Sequence, residues 1–383
     1  MSFLNKPGQF KAMLFLSPGI MEIKNIAYCY EKVTQPLLKK ETFIIPSDER
    51  GEINEHYVLI QVIGTGICGT DIHMYYGMRF NREIADHGHP LIAGHEIFGK
   101  VVEAGKRYSS LLGREVVING IIDCYNGEPC HFCSSGNNYR HEPFSQMGIC
   151  GNVPGGFIDY TVALGKNCHP LTQKYSLEEK AILELLACLI HGFHDKLCPV
   201  PDASTYLVFG GGPAGLLTVQ LIHLLNPENR VILVEPIALK REKAKLLGAD
   251  QVVWEDDREK LIQRVKKLTN GIADYIIEVS GTTEVFAFIP QLAAPLASVL
   301  VFGLGYAAFT MECLDGYIEK EIKLITTLGP SGPNSFKRAL EIVKKINVSE
   351  IFTHRFAGID NLQNALKAPE YERDTYIKGV ITF

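Results

Sequence analysis

This sequence predicts two domains of different architecture, a β-rich, barrel-like part followed by an α/β part built on a parallel sheet. Three observations carry that reading. Up to about residue 175, short β-like runs such as HYVLIQVIGTGI, GKVVEAG, REVVINGIID and GGFIDYTVAL are separated by Gly, Pro and Asn, the signature of an antiparallel barrel-like domain. From Ser176 onward apolar strands and helices alternate, which specifies a parallel sheet with both faces covered. A chain of 383 residues is also long enough for two domains. The boundaries are placed at residues 1–180 and 335–383 for the first domain and 181–334 for the second.

The elements follow in order. SLEEKAILELLACLIHGFHDK reads as one helix, with Ser176 as N-cap and Glu178 and Glu179 in its first turn, where acidic groups meet the helix dipole. TYLVFGG then gives a strand and PAGLLTVQLIHLL a helix, followed by RVILVEP and ALKREKAKLLGA, then by DQVVW, DREKLIQRVKKL and ADYIIEVSG. The run from Phe288 to Phe309 imitates a membrane span, but Pro290, Pro295, Gly303 and Gly305 interrupt it. A helix followed by a buried strand accounts for it better. FKRALEIVKKI adds a helix, and the tail, THRFAGIDNLQNALKA and then IKGVITF, is expected to return to the first domain.

Composition bounds the function. Net charge is −5 with no basic block, which argues against nucleic acid as a partner, because phosphate binding needs a clustered Lys/Arg face. MSFLNKPGQFKAMLF lacks the apolar core and small-residue cleavage site of a signal peptide. Ten cysteines without a secretory signal point to a reducing compartment, the cytoplasm, and to metal binding rather than disulfides.

In LVFGGGPAGLLTVQ, Gly210, Gly212 and Gly215 match G-x-G-x-x-G between a strand and a helix, the context this dinucleotide-binding motif requires. Gly210 permits the tight turn, Gly212 lets the backbone approach a pyrophosphate, and Gly215 lets helix and strand pack closely. The helix N-terminus, with Pro213 and Ala214, supplies N–H groups to phosphate. Glu235 ends the next strand, where an acidic residue accepts from ribose hydroxyls, so NAD is favoured over NADP. Lys240, one turn on, blurs that preference. Ser280 and Gly303 complete the expected cofactor site.

A second constellation lies upstream. GICGTDIH carries Cys68, Thr70 and His73; IAGHEIFG carries His95 and Glu96; Glu184 and Cys188 stand four apart on a predicted helix and so share a face. Thiolate, imidazole and one further ligand, with a fourth position open, make a catalytic zinc site. Such a metal favours the alkoxide of a bound alcohol.

GICGTDIH, GHE, ELLAC and FGGGPAG, in this order, resemble the zinc-dependent medium-chain dehydrogenase/reductases, polyol and threonine dehydrogenase branch, over roughly Lys11 to Phe383. The resemblance implies a GroES-like catalytic domain and a Rossmann, doubly wound, NAD-binding domain. It implies zinc held by Cys68 and His95, with Glu96 and Glu184 near or on the metal. Cys188 is the alternative to Glu184, and Thr70 and His73 match the proton-relay positions. It also implies a homodimer or homotetramer. Two departures stand out: Leu185 replaces the usual Pro after Glu184, and about thirty extra residues precede Cys68, within YCYEKVTQPLLKKETFIIPSDERGEIN, expected to form a hairpin.

A third departure lies in DCYNGEPCHFCSSGNNYRH. Members of this family carry C-x₂-C-x₂-C-x₇-C here, binding a structural zinc. Cys130 and Cys133 match the middle pair, His141 stands at the fourth position, Gly127 at the first, and Cys124 three residues earlier. A Cys₃His site from Cys124, Cys130, Cys133 and His141 is chemically sound; the alternative is a lobe of free thiols. His131 reads as a surface residue.

The function expected is NAD-dependent oxidation of a secondary hydroxyl in a polyol, sugar, cyclitol or amino alcohol. The alternatives are a primary-alcohol dehydrogenase or aldehyde reductase on the same scaffold, and a non-catalytic NAD- and zinc-binding sensor. Arg79, Arg82, Asp86 and His87 are candidates for substrate contacts.

Overall fold

The computed structural model describes residues 53–76, 92–124, 130–135, 145–149, 154–199, 202–305, 313–331 and 334–383, with the backbone of four earlier strands. The chain forms two compact units. The first comprises Met1–Glu184, Pro330–Lys337 and His354–Phe383, and the second Leu185–Gly329 and Arg338–Thr353.

The first unit opens with two hairpins. Strand β1 (Leu14–Phe15) pairs with β2 (Ile20–Met21), and β3 (Asn25–Cys29) pairs antiparallel with β4 (Leu37–Glu41). The second hairpin occupies the start of the extra segment before Cys68. The main sheet is built around β5 (Tyr57–Ile67), which pairs antiparallel with β6 (Glu96–Ala104), β10 (Tyr160–Leu164) and β19 (Lys378–Thr382). It continues through β7 (Glu115–Ile118) to β11 (Cys168–Pro170) on one side and to β18 (Phe352–Ala357) on the other. Two short strands, β8 (Ile121–Ile122) and β9 (Ser145–Gln146), form a separate ribbon. Val58, Leu59, Ile60, Val62 and Ile67 of β5 are all buried with Ile97, Phe98 and Val101 of β6. Alternation is lost along β5 because both of its faces are covered.

The C-terminal tail returns to this unit through β19, with Gly379 opposite Ile67. Residues 338–353 do not accompany it, contrary to the expected boundary at 335. Gln220 in the second unit exchanges hydrogen bonds with the backbone of Asn347 at 2.7 and 3.1 Å, and Lys243 pairs with Glu350 at 2.6 Å. These polar ties hold the segment on the α/β side.

The second unit is a six-stranded parallel sheet: β12 (Thr205–Phe209), β13 (Arg230–Val234), β14 (Gln251–Val253), β15 (Ala273–Glu278), β16 (Ala293–Val301) and β17 (Lys323–Thr326), in the order β14-β13-β12-β15-β16-β17. The order reverses direction between β12 and β15, and a ligand crevice forms outside the carboxyl ends of strands at such a switch point. The apolar run after Phe288 is a short helix, Ile289–Leu292, followed by β16. No helix among the described residues is long and apolar enough to cross a membrane.

The helix expected from Ser176 is interrupted. Ser176 and Glu179 form a capping box, with Ser176 Oγ accepting from Glu179 N at 3.1 Å and Glu179 Oε2 accepting from Ser176 N at 2.7 Å. After α1 (Gly69–Tyr75), helix α2 spans Leu177–Ala181 and α3 Leu183–Ile190, and His191–Leu197 winds into a π-helix. Such widened turns are rare, and a 3.6-residue apolar periodicity does not report them.

In the first unit the His169 ring lies parallel to Phe336 at 4.7 Å, and burial lowers the imidazole pKa to about 4. A histidine held neutral stabilises the fold above its unfolded value near 6.5, and that stability is lost as pH falls toward the folded value. The expected outcome is a fall in stability of roughly 1–3 kcal/mol between pH 6.5 and 4 that His169→Phe removes, read by urea unfolding at several pH values; identical profiles for the two proteins would contradict it.

Candidate active site

The first site forms because β5 lies between β6 and β19. Gly66 is opposite Glu96 and Ile67 opposite Gly379. Cys68 therefore emerges beside the start of β6, where Glu96 opens the strand and His95 directly precedes it, and beside the start of β19, which carries Lys378. Ligand atoms of Cys68, His95 and Glu96 all lie within 4.8 Å of one another. His95 and Glu96 are buried and Cys68 is half-buried.

Asp71 fastens this arrangement. Helix α1 (Gly69–Tyr75) has Cys68 at its N-cap. The fully buried carboxylate of Asp71 accepts from Cys68 N at 2.9 Å and from Gly94 N at 3.2 Å, and lies 3.3 Å from His95 Nδ1. One side chain thus ties both ligand-bearing loops together. Gly94 has φ +89°, and the Phe157 ring lies 2.9 Å from where its Cβ would be, so only glycine makes this turn before His95.

Charge decides what the site accepts. Lys378, 2% exposed, lies 2.5 Å from both carboxylate oxygens of Glu96 and donates to Oε1. Burial works against its charge, but Glu96 outweighs it and raises the lysine pKa. Burial likewise works against a charged His95 ring, yet Asp71 and Cys68 raise its pKa well above the usual histidine range. The surroundings thus attract positive charge beyond Lys378, and sulfur, imidazole and carboxylate are a donor set that zinc takes. The residues fit the metal.

Of the other expected residues, Thr70 and His73 lie three apart on α1 and are half-buried, a spacing that places them on one face. Glu184 is buried in the first turn of Leu183–Ile190 but stands outside the group of three. Cys188 is buried and belongs to the second unit. Arg79, Arg82, Asp86 and His87 lie outside the described residues.

The cysteine lobe gathers a separate cluster. Cys124, Cys130 and Cys133 have their sulfurs within 4.8 Å of one another, and Cys130 N donates to Cys124 Sγ at 3.4 Å. Burial, and after it the thiols of Cys130 and Cys124, push Cys133 up to about 11. Lys166 steadies the lobe by donating to Asp123 and to the Cys124 carbonyl. His131 is exposed, and His141 lies outside the described residues.

In the second unit, Gly210 has φ +106° and Gly212 caps helix α4 (Pro213–Leu225, following the two helices after Ser176) with Pro213 in its first turn. A Cβ on Gly215 would meet the Gly210 carbonyl at 1.9 Å, whereas one on Gly212 would meet nothing within 4 Å. The loop is closed toward the protein and open outward, a cradle that suits a pyrophosphate. Glu235 is less free than the sequence suggested. Its Oε2 accepts from Gly211 N at 2.6 Å and its Oε1 from Ile237 N at 2.8 Å, so it braces the loop. Lys240 packs against Gly211. The hydroxyl of Ser280 is turned inward, donating to Glu278 and accepting from Thr282 N. Gly303 stands against Gly281.

Asp71 and Lys378 were given no role on sequence grounds. An acidic residue three after Cys68 is a capping position, a signal that was legible; the lysine in IKGVITF is a charge in an apolar strand, and only the sheet shows its partner.

Known proteins agree with this construction. Residues 54–173 match the alcohol dehydrogenase GroES-like domain and residues 213–345 match the zinc-binding dehydrogenase domain. The chain belongs to the zinc-dependent medium-chain dehydrogenases of the alcohol dehydrogenase family. A sorbitol dehydrogenase from Bombyx mori is 29% identical over 315 residues, 80% of this chain and 86% of that protein. A D-arabinitol dehydrogenase from Uromyces fabae is 28% identical over 348 residues, 89% of this chain and 92% of that protein. The crystal structure of a putative zinc-binding dehydrogenase from Sinorhizobium meliloti 1021 bound to NADP superposes with a TM-score of 0.78 at 25% identity, covering 95% of this chain and 100% of that one.

Removing one partner of a buried ion pair costs about 3–5 kcal/mol, because the remaining charge is stranded. Lys378→Met is expected to lower stability by about that amount, and Glu96→Gln added to it to restore most of the loss. Denaturant unfolding of the single and double variants checks this; a stable single variant would contradict the pairing.

Proposed function

We propose that this chain oxidises a secondary hydroxyl of a polyol, sugar, cyclitol or amino alcohol to the ketone, passing hydride to NAD. The observation that carries the reading is the Cys68–His95–Glu96 donor group in a chain that also presents an open glycine-rich dinucleotide loop. The polyol dehydrogenases it resembles support the substrate class.

Cys68 and His95 would hold zinc, with Glu96 and Glu184 as the carboxylates that complete or exchange within its donor set. Zinc so held supplies Lewis acidity, lowering the proton affinity of the substrate hydroxyl. The protein's own groups do the rest. Asp71 keeps Cys68 and His95 in register, and Lys378 balances Glu96. Thr70 and His73 would carry the hydroxyl proton outward, Thr70 accepting it as it passes its own to the His73 ring; NAD, when bound, would supply the hydride acceptor. Gly210–Gly215 and the α4 N-terminus hold the pyrophosphate. Glu235 favours the ribose of NAD over a 2′-phosphate, and NADP is the second cofactor to test.

NADH formation with sorbitol, arabinitol, threonine, inositol and ethanol tests this. Turnover of at least one secondary alcohol is expected, with Cys68→Ser lowering kcat/KM at least about a hundredfold. Zinc-replete protein inactive with every alcohol and both cofactors would overturn it and favour the sensor.

We also infer a structural zinc in the cysteine lobe, held by Cys124, Cys130, Cys133 and His141, and a homo-oligomer in the cytoplasm. The three gathered thiols support the metal, and the eight free cysteines among the described residues support a reducing compartment. Among the described residues β17 ends the sheet with Leu324 exposed, and the helix before it, Leu314–Glu319, exposes Leu314 and Ile318, apolar surface that a second copy would cover. Native mass spectrometry reads all three. Two zinc ions per chain, falling to one in Cys133→Ser, reduced thiols and a multiple of the chain mass are expected. One zinc in both proteins, disulfides, or a monomer would each refute its part.

A further inference from the structure

Glu278 is the last residue of β15, in register with Phe209 of β12, and 1% exposed. It therefore stands at the carboxyl end of the strand beside the glycine loop, where the strand order reverses. Its neighbours along the strand, Ile276 and Ile277, are apolar and fully buried. A carboxyl group in such a place costs folding free energy unless it is hydrogen-bonded, so filling space does not explain it.

The hydrogen bonds show what it holds. Glu278 Oε1 accepts from Ser280 N at 2.7 Å, from Ser280 Oγ at 2.5 Å and from Gly281 N at 2.9 Å. Ser280 Oγ in turn accepts from Thr282 N at 3.0 Å. The carboxyl group folds residues 280–282 back over the strand end. Its Oε2 lies 2.5 Å from where a Cβ on Gly303 would be, and its carbonyl accepts from Phe302 N and Gly303 N at 2.8 and 2.9 Å. The folded turn stands directly against the dinucleotide loop: Ser280 N, Cα and Cβ lie 3.0–3.1 Å from the Cβ position of Gly210. The turns following β12, β15 and β16 thus meet around Glu278, whose side chain shapes the turn after β15 and whose carbonyl holds the turn after β16.

We propose that Glu278 is a positioning residue of the dinucleotide site, setting the wall against which the Gly210–Gly212 loop takes its cofactor-binding shape. This rests on the reading of that loop as a nicotinamide dinucleotide site. The side chain touches no cofactor itself; it acts through Ser280 and Gly281. Its reach matters more than its charge, because Oε1 must meet three donors at once. A glutamine keeps both length and an acceptor oxygen, whereas an aspartate keeps the charge and falls short.

The test is titration of NADH, followed by its own fluorescence, into wild type, E278A, E278D and E278Q, with melting temperature and zinc content measured on each. NADH binding at least tenfold weaker is expected for E278A and E278D, affinity within threefold of wild type for E278Q, and unchanged zinc content throughout. E278A or E278D binding within threefold of wild type would overturn the proposal, as would E278Q as weak as E278A. Should E278A fail to fold, E278D against E278Q decides alone. Wild-type protein that binds neither NADH nor NADPH would sink the dinucleotide reading itself, a result distinct from any difference among the variants.

Discussion

Strand β5 is hydrogen-bonded to β6 and β19 around the point where it ends, and the metal-binding group depends on that three-strand junction. Gly66 facing Glu96 and Ile67 facing Gly379 place Cys68, His95, Glu96 and Lys378 around one spot. They come from three parts of the chain, the first and last more than three hundred residues apart. A one-residue slip in either pairing would turn these side chains to the opposite face. Asp71 then locks the result by bonding the backbone of both ligand-bearing loops. The sheet brings the groups near, and the buried carboxylate sets their mutual geometry.

That site carries more buried charge than a core tolerates without compensation. Asp71 and Glu96 are nearly fully buried, and Lys378 answers Glu96. A zinc ion is the natural remaining counter-charge, since buried carboxylates and thiolates persist only when paired or coordinated. Stability and metal affinity are therefore properties of one network, and substitutions in it act on both.

The α/β unit uses acidic residues in a comparable way. Glu235 braces Gly211 and the start of the following helix, and Glu278 folds the neighbouring turn. Backbone N–H groups near a phosphate site must be aimed, and a carboxylate that spends some of them fixes the direction of the rest. The glycines give the loop its freedom to adopt the turn, and these two side chains remove the freedom that is left.

Much of this protein is determined by local sequence. The alternation after Ser176 specifies the parallel sheet, the strand–Gly-loop–helix pattern specifies the glycine turn, and CGTDIH, GHE and the lobe cysteines mark loops whose donor side chains cluster, because each rests on residues close together in the chain. The break at Ile182 and the π-helix after it were not legible, since helical periodicity continues through both. The return of residues 338–353 to the α/β unit was missed because Gln220 and Lys243, which hold it there, lie more than a hundred residues away. Lys378 and Glu278 carry no motif. A lone charge in an apolar strand acquires meaning only from what the opposite strand or the next turn places against it. Which residues can bind is written locally; which of them meet, and what holds them in place, depends on strand register, and only the folded sheet decides that.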